Sequence, residues 1–276
     1  MAAEKIFAVF GNPIKHSLSP AIHKAFAKQF SISMKYTAEL IELDGFSHSV
    51  EQFFSSGGNG INVTVPFKSE AFQIASEVSD RANRAEAANT LVRKKHTISC
   101  DNTDGAGLIR DLKENLSWSI KSKRVLVLGA GGAAQGILEV LLREKPALIH
   151  VANRTKSKAV RLAKQFFDLG TVEGGGIDEI NSDHYDFIFN ATSAGVKKES
   201  LALPATLVNE KVSCYDLAYG STQTEFIKWA SQRKPSALAD GLGMLVEQAA
   251  EAFFVWNGVR PNTKLLLKQL VANKSQ

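Results

Sequence analysis

Cysteine is nearly absent from this 276-residue chain: Cys100 and Cys214 are the only two. They lie far apart and form no C-x-x-C pair, which excludes a disulfide framework and a cysteine zinc site and favours a reducing compartment. No apolar run reaches the roughly 18–20 residues needed to cross a bilayer, so a membrane partner is not expected. The first residues, Met1 to Ile6, pass straight into an apolar run, with no secretory signal. A cytoplasmic protein is therefore expected. No charge block, repeat or low-complexity tract stands out, which removes disordered, collagenous and solenoid classes. Lys and Arg exceed Asp and Glu by 33 to 28, a net charge of +5. That balance suits small anionic ligands. The basic stretches Arg93–Lys95 and Lys121–Arg124 are short and carry no interleaved aromatics, so they read as solvated loops rather than a nucleic-acid surface.

What is present is a βα alternation. Ile6–Phe10 is a short apolar strand stopped by Gly11-Asn12-Pro13. Ser19-Pro20 opens a helix, with Ser19 expected as N-cap and Pro20 as its first residue. A strand over Met34–Ile41, a helix over Phe46–Phe54, a strand over Gly60–Val65 and a helix over Phe67–Ala75 follow. Thr90–Val92 and Thr97–Cys100 read as hairpin arms joined by Arg93–His96. A helix is expected from Asp104 through Leu116. From Arg124 the alternation repeats, with strands near 148–152, 186–189 and 212–216. Glu173-Gly-Gly-Gly176 is expected as a loop. Two long helices, about 242–256 and 262–272, end the chain. On the first of them Leu245, Ala249, Ala252, Phe253 and Trp256 read as core. The pattern predicts two α/β domains: an N-terminal one with a mainly parallel sheet, and a Rossmann-type nucleotide domain. The expected boundaries are 1–104, completed by 243–276, and 105–242.

Val125–Leu128 followed by Gly129-Ala130-Gly131-Gly132-Ala133-Ala134 is the strand–turn–helix form of a dinucleotide fingerprint. Gly129 permits the tight turn, Gly131 admits a pyrophosphate to the backbone, and Ala134 lets helix and strand pack closely. The second strand of the unit ends in Asn153-Arg154-Thr155. An NAD site usually has a carboxylate there; Asn153 with Arg154, Thr155 and Lys158 suits a 2′-phosphate, hence NADP. The plain alternative is that Arg154 and Lys158 are surface residues of a helix start. Asn190–Gly195 follows a third strand, at the edge where ligands of open α/β sheets bind. It reads either as a ligand loop or as an ordinary polar one.

Polar clusters in the first hundred residues sit at the ends of strand-like runs: Ser17-Leu-Ser19-Pro, Asn62-Val-Thr64-Val-Pro-Phe-Lys68, Ala88-Asn89-Thr90 and Asp101-Asn-Thr-Asp104-Gly. Each has a local explanation, since Ser19 and Asp104 are good N-caps and Lys68 an ordinary first-turn lysine. Together, beside a nucleotide domain, they suit a polyhydroxylated ligand.

These segments, with G-A-G-G-A-A, N-R-T, N-A-T-S-A-G and G-L-G-M-L-V-E-Q-A, resemble the shikimate dehydrogenase family from about residue 6 to residue 270. One departure is Glu86-Ala87-Ala88, where the family usually has Gly-Ala-Val/Ile. The resemblance implies reversible NADPH-dependent reduction of 3-dehydroshikimate to shikimate, in chorismate and aromatic amino-acid biosynthesis. It implies that Lys68 and Asp104 are the catalytic pair. Ser17 and Ser19 would hold the substrate carboxylate with Tyr219 close by, and Asn62, Thr64, Asn89 and Gln248 the ring oxygens. Gly129–Ala133, Asn153, Arg154, Thr155, Lys158, Thr192, Leu217 and Gly241 would line the cofactor. No metal is implied, and the state would be monomer or homodimer. Two other readings stay open: a quinate/shikimate dehydrogenase of broader specificity, and a non-catalytic NADP-binding metabolite sensor.

Overall fold

The computed structural model describes residues 4–95, 97–180, 185–192, 203–220 and 222–274. In chain order the first elements are β1 (Lys5–Gly11), α1 (Ser19–Gln29), β2 (Met34–Leu40), α2 (Phe46–Ser55), β3 (Gly60–Val63) and α3 (Lys68–Gln73). Then come β4 (Glu77–Val78), α4 (Asp80–Ala85), β5 (Thr90–Lys94), β6 (Thr97–Asp101) and α5 (Asp104–Arg110). The second sheet is built from β7 (Arg124–Leu128), α6 (Gly132–Arg143), β8 (Leu148–Asn153), α7 (Lys156–Phe166), β9 (Val172–Gly176), β10 (Phe187–Asn190) and β11 (Ser213–Asp216). The chain closes with α8 (Glu225–Ser231), β12 (Ala237–Asp240), α9 (Leu242–Asn257) and α10 (Lys264–Lys274). It forms two compact units: Met1–Gly107 with Leu245–Ala272, and Leu108–Met244 with Asn273–Gln276.

The first unit holds a six-stranded sheet in the order β2-β1-β3-β5-β6-β4. β1 lies parallel to both β2 and β3, β5 is antiparallel to β3 and β6, and β4 is parallel to β6. The apolar run of β1 is buried on both faces, as a central strand must be. Ala8 and Phe10 pack with Ile61, Val63, Phe46, Val50 and Phe67. Phe7 faces the other way and stacks on Trp256, ring centres 4.5 Å apart. On that side Ile22, Phe26 and Ala27 of α1 pack against Val246, Ala249 and Phe253 of α9.

The second unit holds six strands in the order β12-β11-β10-β7-β8-β9, every pairing parallel. Counted from β7, this is the doubly wound dinucleotide order, whose switch point lies between β7 and β10. The period of two along β7 sends Val125 and Val127 to one core and Leu126 and Leu128 to the other. Helices therefore cover both faces.

Four expectations need correction. Ser19 does not cap α1: Leu18 is the N-cap, and Ser19 is the first helical residue, with Pro20 behind it. Ser17 Oγ instead accepts from the Ser19 N–H at 3.3 Å. Asp104 does not cap α5 either; it is the first helical residue, and its own N–H donates to Asn102 Oδ1 at 3.1 Å. The helix from Asp104 does not stay regular to Leu116, but widens into a π-turn over Asp111–Asn115. Glu173–Gly176 is part of strand β9, not a loop. A side chain at 174 would sit 2.4 Å from the Ala159 carbonyl oxygen, so glycine is what lets α7 lie against this strand. The hairpin arms extend further than expected, to Lys94 and Asp101, while His96 and Ser193–Gly195 lie outside the described residues.

Candidate active site and nucleotide site

In the first unit, β3 and the β5–β6 hairpin bring Asn62, Asn89 and the turn after Asp101 to one sheet end. Asp101 anchors that turn. Burial alone would raise its pKa, but the two-pronged Arg81 guanidinium, at 2.6 and 2.7 Å, holds it below the usual carboxylate range. Ser79 and the Asn102 N–H, both at 2.7 Å, reinforce it. Arg81 also reaches Glu251 of α9 at 3.1 Å, tying the turn to that helix.

Lys68 opens α3, and its ammonium donates to Asp104 Oδ2 at 2.5 Å. The other carboxylate oxygen, Oδ1, accepts from Asn89 Nδ2 at 2.8 Å. The same amide nitrogen faces Thr103 Oγ1 at 2.9 Å and Gln248 Oε1 at 3.3 Å. Asn89 Oδ1 accepts from the Thr90 hydroxyl and the Thr103 N–H, each at 2.9 Å. Four sequence-predicted residues, Lys68, Asn89, Asp104 and Gln248, thus meet in one network. The Lys68 side chain is 15 % exposed and that of Asp104 7 %, so a charged pair is held at the rim rather than sealed in the core.

Asn62 enters this network from behind. Tyr36 OH donates to its Oδ1 at 2.8 Å, and its Nδ2 lies 3.1 Å from the Asn89 carbonyl and 3.2 Å from Thr90 Oγ1. Both amide hydrogens face protein acceptors, so Asn62 braces Asn89. Thr64 is half-buried beside the β1 terminus, where a side chain in place of Gly11 would collide with its methyl at 2.4 Å. Ser17 is half-buried and Ser19 buried, on the turn entering α1. Tyr219 lies in the second unit, half-buried just after β11. Thr90, Thr103 and Tyr36 were not predicted as site residues. The first two stand inside quoted motifs, whereas Tyr36 has no local signal.

In the second unit, Gly129 has φ +103°, and a Cβ there would lie 2.9 Å from the Ala191 carbonyl oxygen. The turn after β7 is therefore pressed against the segment after β10, at the switch point. Gly131 is different. Its φ is −98°, open to any residue, and a Cβ would meet no protein atom within 4 Å. The fold does not require glycine at 131, whereas close approach of a ligand to the first N–H groups of α6 would. Gly132 and Ala133 open that helix, and Ala130 precedes it. Gly241 has a packing reason, since a side chain would strike the Leu217 carbonyl oxygen at 2.1 Å.

The N-terminus of α7 carries Lys156 and Lys158 in its first turn, has no acid there and no side-chain cap. Arg154, Thr155 and Lys158 are exposed at this end, and Asn153 Nδ2 donates to the Thr155 carbonyl at 3.0 Å. Lys156 is taken up by Glu179 at 2.5 Å; Arg154 and Lys158 remain cations near a helix N-terminus, where they oppose its dipole, a pattern that fits an anion held there. The residues present therefore suit a dinucleotide with an extra phosphate. The structure also reveals a buried carboxylate that sequence reasoning missed: Asp216, at the end of β11, which Asn190 contacts at 2.9 Å. Among the described residues no cluster of His, Cys, Asp and Glu is arranged to hold a metal ion, and no helix is long and apolar enough to cross a membrane.

Three family models match the chain. They are the shikimate dehydrogenase substrate-binding domain over residues 9–91, shikimate/quinate 5-dehydrogenase over 111–210, and the shikimate 5′-dehydrogenase C-terminal domain over 241–271. A shikimate dehydrogenase (NADP(+)) of Cellvibrio japonicus is 50 % identical over 266 residues, 96 % of each chain. Among solved structures, an Ael1 enzyme from Pseudomonas putida superimposes with a TM-score of 0.88 at 41 % identity, covering 97 % of this chain and 98 % of that one. A shikimate dehydrogenase in complex with NADP+ gives 0.87 at 29 % identity, covering 99 % and 96 %.

Proposed function

From the premise that this chain belongs to the shikimate dehydrogenase family, we propose that Lys68 and Asp104 are its acid–base pair. The chain is an NADP-dependent oxidoreductase acting on CH–OH, catalysing the shikimate dehydrogenase step that leads toward chorismate and aromatic amino acids. The first unit serves as the substrate domain and the second as the NADP domain.

Reducing the ketone of 3-dehydroshikimate needs a hydride at carbon and a proton at oxygen. NADPH, when bound, supplies the hydride. The proton must come from a side chain within hydrogen-bond reach, ~2.6–3.2 Å, of the ketone oxygen. Lys68 Nζ is the donor best placed for this. Its ammonium gives the proton, and its charge stabilises the oxyanion as it develops. Asp104 orients that ammonium at 2.5 Å and accepts from a neighbouring substrate hydroxyl. Asn89, Gln248 and Thr64 bind the ring hydroxyls, Asn62 supports Asn89, and Ser17 and Ser19 take the carboxylate. In the reverse direction neutral Lys68 is the base. Gly129–Ala133 would hold the pyrophosphate, and Asn153, Arg154, Thr155 and Lys158 the 2′-phosphate. Thr192, Leu217 and Gly241 would border the nicotinamide end. The enzyme works in the cytoplasm, where buried Cys100 and Cys214 stay free thiols, as a monomer or homodimer.

The observation that carries the catalytic assignment is the Lys68–Asp104–Asn89 network. The test is a four-way assay of reduced-cofactor absorbance, with shikimate or quinate against NADP+ or NAD+. Turnover confined to shikimate with NADP+ is expected. Comparable turnover with quinate or NAD+ would move the assignment to the broader quinate/shikimate enzymes, and silence in all four would indicate a metabolite sensor.

A further inference from the structure

Asp216 is fully buried, with no solvent exposure. Burial pushes its carboxyl up to about 6, against the pull of hydrogen bonds from Thr224, Ala218 and Asn190, and the charge of Asp240 adds to the rise. A group so costly to ionise needs a structural reason to be an acid.

The reason is its reach. Oδ1 accepts from Asn190 Nδ2 at 2.9 Å and from the Ala218 N–H at 3.1 Å. Oδ2 accepts from the Thr224 hydroxyl. With its NH2 turned to Asp216, Asn190 must point its Oδ1 the other way. There it receives the Thr192 hydroxyl at 2.7 Å and the Thr192 N–H at 3.2 Å. Between these two residues, the Ala191 carbonyl lies where a Cβ on Gly129 would be only 2.9 Å away. The Asp216 backbone also lies near Gly241, where a Cβ would come within 3.3 Å of its carbonyl oxygen. One carboxylate thus gathers the carboxyl ends of β10 and β11 and fixes the segment that meets the glycine turn after β7. All these contacts lie within the second unit. In parallel α/β sheets, ligands bind outside these strand ends at the switch point.

We propose that Asp216 is a positioning residue for the cofactor: its carboxylate sets the amide orientation of Asn190, and through it the shape of the rim that receives the dinucleotide. The proposal rests on the NADP reading above. An asparagine at 216 keeps the shape but offers one acceptor where three donors converge. Its NH2 would face either Asn190 Nδ2 and the Ala218 N–H, which cannot accept and would force Asn190 to turn and release Thr192, or the Thr224 hydroxyl, which would have to turn its own hydrogen away; in both cases the charge that holds Asn190 is gone.

The experiment is fluorescence titration of the purified full chain with NADPH and with NADH, alongside a thermal melt. For Asp216→Asn both affinities are expected to fall together, by about tenfold or more, the size of losing a charge-assisted hydrogen bond. The NADPH-to-NADH ratio should stay at the parent value. Arg154→Ala, in contrast, should lower NADPH affinity far more than NADH affinity, which marks the 2′-phosphate contact separately. A folded Asp216→Asn that binds NADPH within about twofold of the parent overturns the proposal, whatever its melting temperature. Should Asp216→Asn not fold, Thr224→Val against Thr224→Ser decides. Serine keeps the hydroxyl and is expected to bind like the parent, while valine should bind both cofactors several-fold more weakly. Equal affinities for the two overturn the proposal. A parent protein that binds neither cofactor defeats the underlying NADP reading, a failure distinct from either of these.

Discussion

His23 offers the sharpest test of the energetics of the first unit. Its imidazole is fully buried. It stacks on Tyr36 at 4.4 Å and 7° and lies against Trp256, Phe26 and Phe253. Neither ring nitrogen has a hydrogen-bond partner of ordinary length among the described residues. Burial lowers its pKa from 6.5 to about 3, with the neighbouring Asn62 side chain opposing the shift. The folded state therefore holds the neutral ring, while the unfolded chain takes up a proton below about pH 6.5. The stability that depends on a neutral His23 is fully present above that pH. It is lost progressively as pH falls toward 3. One pKa unit corresponds to about 1.4 kcal/mol, so the loss is about 3 kcal/mol at pH 4, a large share of a typical 5–15 kcal/mol total. His23→Phe keeps a flat ring in the stack and removes the proton site. Denaturant unfolding at a series of pH values, parent beside variant, isolates the effect, because acid loss from the carboxylates is common to both. The variant should match or exceed the parent near neutrality, where it relieves two unpaired nitrogens, and its advantage should widen by about 3 kcal/mol toward pH 4. Parallel curves for the two proteins would refute the reasoning.

Three further outcomes follow from the geometry. Lys68→Ala should lower kcat by ~10²-fold or more with little change in KM; a raised KM with kcat intact would make Lys68 a binding residue only. Glu86 ends α4 in the left-handed region, φ 48°, where the family usually has glycine, so Glu86→Gly should raise stability to denaturant by about 1 kcal/mol. No gain would mean the position carries no strain. A Cβ on Gly107 would lie 2.6 Å from Gln248 Cβ and 2.7 Å from its backbone nitrogen. Gly107→Ala should therefore raise KM for shikimate while leaving NADPH affinity unchanged, and a parent-like KM would show that Gln248 does not bind the ring.

The α/β alternation was legible because strands buried on both faces leave continuous apolar runs, as at Ile6–Phe10 and Val125–Leu128. Lys68, Asn89 and Asp104 were legible as polar residues at the ends of such runs. The glycines of β9 were misread because glycine normally signals a turn. Here they answer to a helix backbone pressed against the strand, a demand that arises only in three dimensions. Ser19 was misread as a cap because its hydroxyl chemistry fits that role equally well one residue away. Tyr36, His23 and Asp216 left no local trace. Their partners stand at Asn62, at Trp256 and Phe253, and at Asn190, far along the chain, so only folding brings the reason for each into view.

The crowding around Asn89 also bears on how a substrate is oriented. Two amide hydrogens there face three oxygen acceptors, on Thr103, Asp104 and Gln248. The single Thr103 hydroxyl hydrogen is in turn shared between Asn89 Oδ1 at 3.1 Å and Gln248 Oε1 at 3.3 Å. This corner of the site is short of protons, and a molecule arriving with hydroxyl groups supplies what it lacks. A ketone oxygen brings no proton, so it would be turned away from the carboxylate and amide oxygens and toward the ammonium of Lys68. On the proposed assignment, an imbalance of donors and acceptors would sort the two ends of the ring, with the oxygen to be reduced directed to the ammonium proposed to protonate it.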